Sequence, residues 1–416
     1  MTTAMGAQRE GESLSVDGER PSIERSRTHG LPYFPWTGSV SGAPSVVRRL
    51  MGPRLYQSLK VGYGWLKHEK NDHSHLGLSQ KLSAWRRGFF AESAMLYDLP
   101  SNDPREYLSD YDRAARCREI NPHNEFFNHK LVLRSFLLAM GFRQAETVAL
   151  LYEGKILSNP FSGDARQIQP QKLEEQLASD GRNYIVKPED GACGKGLFLL
   201  ETREGELVRR HGRQTAALDL PALLRETGSD QPRPRMTFIE EQLEQASFWK
   251  TLFPETANTI RVLTMWMPGE PAPFVARAVQ RIGTPDTVPT DNWSGGGISA
   301  PIDLESGTLG EGRVNPFKAG RATAERVSQH PATGAQIAGA VLPHWDEVRD
   351  TVLRVAASLP FNRVAGWDVL VASDGVPVII EANGDSDIDL LQVHGGLLAD
   401  PRIRRFYEVT AGVAQK

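Results

Sequence analysis

Cysteine is scarce. The 416-residue chain has two, Cys117 and Cys193, so a disulfide framework is excluded. A charge excess is missing too. Lys+Arg number 48 against 51 Asp+Glu, a formal net charge of −3, which removes any bulk electrostatic drive toward nucleic acid. No long hydrophobic run is present. The most apolar stretch, Leu131 to Phe142, is too short to span a bilayer and carries Arg134. The N-terminus has no apolar signal core, and internal repeats and heptads are absent. These absences predict a soluble cytoplasmic protein with no membrane span and no nucleic-acid partner. They leave the oligomeric state open. What is there is an ordinary globular balance, 40% hydrophobic and 24% charged.

Residues 1–30 are rich in Gly, Ser, Glu and Arg and nearly devoid of large apolar side chains. They cannot bury enough surface to offset ordering entropy, so a disordered leader is expected there. Residues 31–125 read as mainly helical. Leu82, Trp85 and Phe89 recur at helical spacing there, and the helical pattern runs on to about residue 145 with Leu131, Phe136, Leu137 and Met140 and with Gly141 as a stop. His68, His73 and His75 lack a matching Cys, Asp or Glu frame and read as a solvated loop rather than a metal site.

Past residue 148 the pattern changes to short apolar runs bounded by Gly, Pro and Asp: 184–187, 196–200, 237–240, 259–266, 273–279, 366–372 and 376–382. These are expected strands. One helix, from His344 to Ser358, puts Trp345, Val348, Val352, Val355 and Leu359 on one face. Strands with few helices predict α+β lobes rather than regular βαβ alternation. The expected lobes cover about 148–242 and 243–405 within a catalytic region 126–416.

Two segments carry chemistry. The first runs from Tyr184 to Leu197: a strand ending in Lys187, then a loop with Gly191, Gly194 and Gly196 around Cys193. Glycines let backbone N–H groups approach phosphate oxygens, and a lysine supplies charge. The spacing fits neither the dinucleotide fingerprint nor a Walker A loop. A flap folding over nucleotide phosphates and a plain hairpin are the two readings. Cys193 reads as filler. The second segment runs from Gly366 to Gly384. Asp374-Gly375 flanked by apolar runs predicts a two-residue type I′ hairpin. That register sets Asp368 opposite Glu381, with Asn383 on the same face. Facing carboxylates repel unless a cation sits between them. Two carboxylates and an amide oxygen suit Mg²⁺ or Mn²⁺; the plain alternative is a polar face paired with Lys or Arg.

In their order along the chain these segments resemble the ATP-grasp superfamily. The resemblance starts at Asn128-His129-Lys130. It continues through Val186-Lys187-Pro188, the glycine loop and Phe238-Ile239-Glu240-Glu241-Gln242-Leu243, and ends in Asp368 and Glu381-Ala382-Asn383. Three pieces look like the sugar-transfer-associated ATP-grasp group, related to α-L-glutamate ligases: Asn258-Thr259-Ile260-Arg261-Val262, Asn292-Trp293-Ser294-Gly295-Gly296-Gly297 and Gly366-Trp367-Asp368. The stretch around Arg87-Gly88-Phe89 looks like that group's N-terminal part. The resemblance implies two α+β lobes clamping ATP, behind a mainly helical N-terminal region. It implies Lys187 on the phosphates, Glu240 at the adenine edge with backbone from Glu241 to Leu243, and Mg²⁺ on Asp368, Glu381 and Asn383. Lys130 and Lys155 are further phosphate candidates. Many members carry a ribose-binding Glu where this chain has Ser247; Glu244 or Gln245 stands nearby.

Between these segments, Arg261 should face away from the side of Ile260 and Val262 and stabilise a transferring phosphoryl group. Arg277 and Arg281 are further candidates. Asn292 is a further catalytic candidate, the glycine-rich loop that it opens should offer backbone N–H groups to an anion, and His394 is either the acceptor end or a surface loop histidine. The resulting expectation is an ATP-dependent ligase that makes an acyl-phosphate and passes it to an amine or thiol, in polysaccharide or glycoconjugate metabolism. A phosphotransferase with a stable acceptor and a nucleotide-binding module without turnover are the alternatives.

Overall fold

The computed structural model describes residues 53–189, 196–212, 214–228, 235–317 and 323–413. The expected leader at 1–30 and the loop residues Gly191, Cys193 and Gly194 lie outside these. Two wholly antiparallel sheets organise the chain.

The first contains β1 (Thr147–Tyr152), β2 (Lys155–Ser158), β3 (Arg166–Ile168), β4 (Tyr184–Pro188), β5 (Phe198–Arg203), β6 (Glu206–His211), β7 (Gln214–Ala217) and β8 (Thr237–Glu241). Their order is β3-β2-β1-β8-β4-β5-β6-β7. The helices Pro170–Ser179 and Leu220–Glu226 set Leu173, Leu177 and Leu220 against Val148, Leu151, Val186 and Ile239. Each helix has proline in its first turn, where the missing N–H is harmless. The sequence pattern marked only one interposed helix in this half, so these two correct it.

The second sheet contains β9 (Ile260–Met265), β10 (Phe274–Ile282), β11 (Ile298–Pro301), β12 (Gly312–Val314), β13 (Arg326–Val327), β14 (Val364–Val371) and β15 (Pro377–Asn383). Their order is β13-β12-β11-β10-β9-β14-β15. Strand alternation splits its faces. Ile260, Val262, Trp367 and Val369 pack with Val348, Val352 and Val355 of the helix Trp345–Ala357. Leu263 and Met265 face the other way, into a cluster with Phe89, Tyr97, Leu391 and Phe406. That second cluster joins the N-terminal helices and the last helix, Pro401–Ala411, to the sheet.

The N-terminal part departs from its pattern in two places. The helix Leu78–Arg86 ends before Phe89, and Leu82 faces solvent; Ala84 is its buried residue. The histidines are not a solvated loop as a group. His68 lies on the helix Pro53–Glu69 and stacks on Phe90 at 3.9 Å between ring centres, and burial lowers its pKa. His73 Nδ1 lies 2.9 Å from Glu92 Oε1. The helix Lys130–Ala139 ends as expected at Gly141, whose φ of +77° is the left-handed conformation glycine tolerates.

Candidate active site

The hairpin β14–β15 places Asp368 directly opposite Glu381, as the sequence predicts, but by another route. The loop has three residues, Ser373 to Gly375. Ala372 N–H bonds to Val376 O, and Gly375 adopts φ +83°. Three-residue loops commonly combine a type I turn with a left-handed glycine. Next to the loop, Val371 therefore pairs with Pro377 and Val369 with Ile379. A bulge between Asp368 and Val369 then restores the pairing of Asp368 with Glu381 and Gly366 with Asn383.

A cavity of about 770 Å³ separates the two sheets. Lys187, Glu240, Glu241 and Leu243 line it from the first lobe; Arg261, Arg281, Asn292, Asp368, Glu381 and Asn383 line it from the second, and Lys130 from the helix beside them. One part of its wall is apolar. Leu243, Leu370, Val378 and Ile380 pack together there, and Ile185 and Leu199 of the first sheet also line the cavity.

The charged part is densely paired. Asp368, 2% exposed, accepts from Arg261 Nε at Oδ1 and from Arg261 Nη2 at Oδ2, the latter at 2.9 Å. Arg281 Nη1 lies 3.0 Å from the same Oδ2. Arg281 also donates to Asp291 Oδ1 at 2.7 Å and Asn292 Oδ1 at 2.9 Å. Burial pushes the Asp368 carboxyl up, but the two guanidinium groups overcome this and hold it below its ordinary value. Arg261 is driven upward by Asp368 against its own burial. Room for its side chain comes from Gly366, where a Cβ would stand 3.3 Å from Arg261 Cδ and collide with Ser386 Oγ.

Glu240 sits between two cations. Its Oε1 lies 2.6 Å from Arg134 Nη2 and its Oε2 lies 2.7 Å from Lys187 Nζ. Lys187 thus reaches the cavity while held by Glu240, and Glu240 contacts a lysine and an arginine where an adenine-edge role was expected. Lys130 Nζ donates to the Glu189 carbonyl at 2.9 Å. Gly196 carries φ +77° at the edge of the glycine loop. Glu381 and Asn383 make no side-chain hydrogen bond or ion pair to another described residue. Their oxygens are uncommitted hard donors, the kind a divalent cation takes, while among the described residues no group of three or more His, Cys, Asp or Glu is arranged to hold a metal ion. Asp368 fits less simply, because both its oxygens are already taken.

Several expected site residues stand elsewhere. Lys155 opens β2 opposite Tyr152, exposed and away from the cavity. Arg277 donates to the carbonyls of Gly395 and Gly396 and does not line the cavity. His394 is half-buried, its Nε2 3.0 Å from Ser299 Oγ. Burial and the nearby Arg313 and Arg277 push its pKa down to about 3; it is neither a surface histidine nor part of the cavity wall. The glycine triplet offers no N–H to an anion. Gly295 and Gly297 donate to Asn292 O and Gly296 to Trp293 O. Its contribution is to turn Asn292 toward Arg281. Glu244 lines the cavity and pairs with Lys250, and Gln245 lines it while bonding to Thr256 O.

Two functional-looking residues escaped the sequence pattern. Arg134 stands out only as a charge inside an apolar helix, yet it is buried and grips Glu240. Asp291 precedes the Asn292 loop and holds Arg281 while accepting from Thr259 N at 2.7 Å.

Among solved structures, the L-amino acid ligase of Bacillus licheniformis is 12% identical over 62% of this chain and 41% of its own, with a TM-score of 0.29. N5-carboxyaminoimidazole ribonucleotide synthetase of Thermotoga maritima is 10% identical over 62% and 42%, TM-score 0.29. A D-cycloserine synthetase is 12% identical over 68% and 72%, TM-score 0.34. The chain spans about two fifths of the first two, and likenesses this remote carry no function. No curated protein matches the chain in sequence. Residues 113–407, well over half of the chain, match the family described as sugar-transfer associated ATP-grasp. The chain belongs to that family.

Proposed function

We propose that the chain is an ATP-dependent ligase that activates a carboxylate as an acyl-phosphate and couples it to an amine. The observation that supports this most is the partition of one cavity wall. An apolar slot at Leu243, Leu370 and Ile380 lies in the same cavity as cationic side chains that include Lys130, Lys187, Arg261 and Arg281. A planar base suits the slot, and a triphosphate suits the cations.

In this reading Glu381 and Asn383 would hold Mg²⁺ or Mn²⁺, with Asp368 beside them, and the ion would supply charge that screens the phosphates. Asp368 fixes the two arginines rather than standing free for the ion. Arg261 and Arg281, held rigid and buried, face the charge that develops as a carboxylate oxygen attacks the γ-phosphorus and the bond to ADP breaks. The amine then attacks the acyl carbon, phosphate leaves, and the ammonium proton passes to solvent. Lys187 moves from Glu240 to the phosphates when nucleotide enters, leaving Arg134 to neutralise Glu240. Glycoconjugate or polysaccharide metabolism is the setting in which such a ligase would work.

Hydroxylamine tests the reading. With ATP, Mg²⁺ and a panel of carboxylates, the enzyme should yield a hydroxamate with the carboxylate that supports ADP release. A stable phosphorylated product without hydroxamate would assign the cavity to a phosphotransferase instead.

A further inference from the structure

The helix Pro53–Glu69 is two-faced beyond residue 60. Val61, Gly64, Trp65 and His68, at i, i+3, i+4 and i+7, turn inward. Val61 and Gly64 are buried, Trp65 lies 4.4 Å from Phe90 between ring centres, and His68 stacks on the same ring. The opposite positions, Tyr63, Leu66, Lys67 and Lys70, turn outward. Tyr63 and Leu66 are each 72% exposed. A helix whose outer stripe is as apolar as this one normally buries it. The neighbouring helix Leu78–Arg86 repeats the arrangement. Leu78 is 68% exposed and Leu82 42%, with Arg86 one turn further on and Arg87 behind it, both exposed. Lys81 of this second helix pairs with Asp72 of the segment between the two, Nζ and Oδ2 lying 2.5 Å apart.

Charge is sorted by side. The carboxylates of this region are engaged with the protein. Glu69 Oε1 accepts from Ala91 N at 2.9 Å, Asp72 holds Ser74 and Lys81, and Glu92 is buried against His73. Lys67, Lys70, Arg86 and Arg87 are exposed. The sequence extends the bias toward the N-terminus. Between Glu24 and Glu69 there is no Asp or Glu, while Arg25, Arg27, Arg48, Arg49, Arg54, Lys60 and Lys67 fall in that interval. Such a run stands out in a chain whose total charge is only −3.

We propose that this face docks on an anionic lipid bilayer, with Tyr63, Leu66, Leu78 and Leu82 entering the headgroup boundary and the lysines and arginines meeting lipid phosphates and carboxylates. Outward apolar side chains interleaved with cations, on neighbouring helices, are the pattern of an interfacial anchor. An anionic polymer alone would reward the cations and leave the four apolar side chains in water. A protein partner would not demand the acid-free run. No helix among the described residues is long and apolar enough to cross a membrane. The cavity between the sheets is built from other elements, and the inference stands independently of the ligase reading.

The test is flotation of the full chain with vesicles. Binding is expected to vesicles of phosphatidylcholine with about one third phosphatidylserine, to be weak on phosphatidylcholine alone, and to fall steeply as salt rises. Two quadruple variants separate the contributions. Lys67→Gln/Lys70→Gln/Arg86→Gln/Arg87→Gln removes charge, and Tyr63→Ser/Leu66→Ser/Leu78→Ser/Leu82→Ser removes insertion. Each should weaken binding about tenfold or more while melting as the parent does, because the altered side chains are exposed. The proposal is overturned if the parent stays unbound by anionic vesicles, or if the serine variant binds as the parent does. It is equally overturned if the parent binds duplex DNA in preference to vesicles, or is a dimer that the serine variant dissociates.

Discussion

Arg261 and Asp368 stand directly opposite each other on the adjacent antiparallel strands β9 and β14, and the guanidinium takes both carboxylate oxygens. Arg281, one strand further along the sheet, reaches the same carboxylate. One buried anion thus fixes two buried cations on the wall of the cavity. Removing one partner of such a set leaves uncompensated charge in a low-dielectric site.

Asp368→Asn should therefore destabilise the protein by about 3–5 kcal/mol, the range for a broken buried pair. Urea denaturation checks this. Arg261→Ala should be milder, because Arg281 continues to neutralise Asp368. A stability change below about 1 kcal/mol in Asp368→Asn would show that the arginines are not held as described.

Glu381→Gln should behave in the opposite way. The side chain carries no ion pair to lose, so stability should stay within about 0.5 kcal/mol of the parent. Binding of Mn²⁺ in the presence of an ATP analogue, followed by electron paramagnetic resonance, should weaken by about tenfold or more, since a hard oxygen donor is replaced by a poorer one. Unchanged Mn²⁺ binding would remove Glu381 from the cation site.

Lys187→Met should lower affinity for an ATP analogue by about 10–100-fold, the loss of one charge-assisted contact of about 1.5–3 kcal/mol. Calorimetric titration measures it. Its partner Glu240 keeps Arg134, so the fold should persist.

A pH dependence follows from the N-terminal contact with the segment after β15. Tyr97 Oη donates to Asp389 Oδ1, and Asp110 lies near. Burial, then the charges of Asp387 and Asp110, push Asp389 up to about 8, and burial pushes Asp110 up to about 6. Both values exceed those of an unfolded Asp, so the native state holds more protons between about pH 4 and 8. The contribution of these groups to stability is fully present below the unfolded value and is lost as pH rises through the folded ones. The melting temperature should fall from pH 5 to 9 more steeply in the parent than in Asp389→Asn, which cannot ionise. Parallel profiles would contradict the assignment.

The sequence shows how far pattern alone reaches. The helix Trp345–Ala357 was legible because five apolar residues share one face with no competing signal. The pairing of Asp368 with Glu381 was legible for an incomplete reason. A longer loop and a bulge offset each other, and neither leaves a mark in residue identity beyond Gly375. β2 and β3 escaped notice because each is short and begins or ends on a charged or polar residue. The role of Arg134 was hidden because its partner is 106 positions away; a charge in an apolar helix was the only trace. Likewise, the alternation around Arg261 gave its facing direction, but its partner across the sheet is set by tertiary register. The glycine triplet misled because its N–H groups are consumed by its own turn.

The account rests on a carboxylate oxygen attacking the γ-phosphate, and oxygen tracing measures that step. The carboxylate that supports ADP release is supplied with ¹⁸O in both oxygens, and the inorganic phosphate is analysed by mass spectrometry. The account predicts one ¹⁸O in each phosphate released with product, because the oxygen that attacked phosphorus leaves with it when the amine arrives. Phosphate free of label, with both ¹⁸O atoms retained in the organic product, would contradict it.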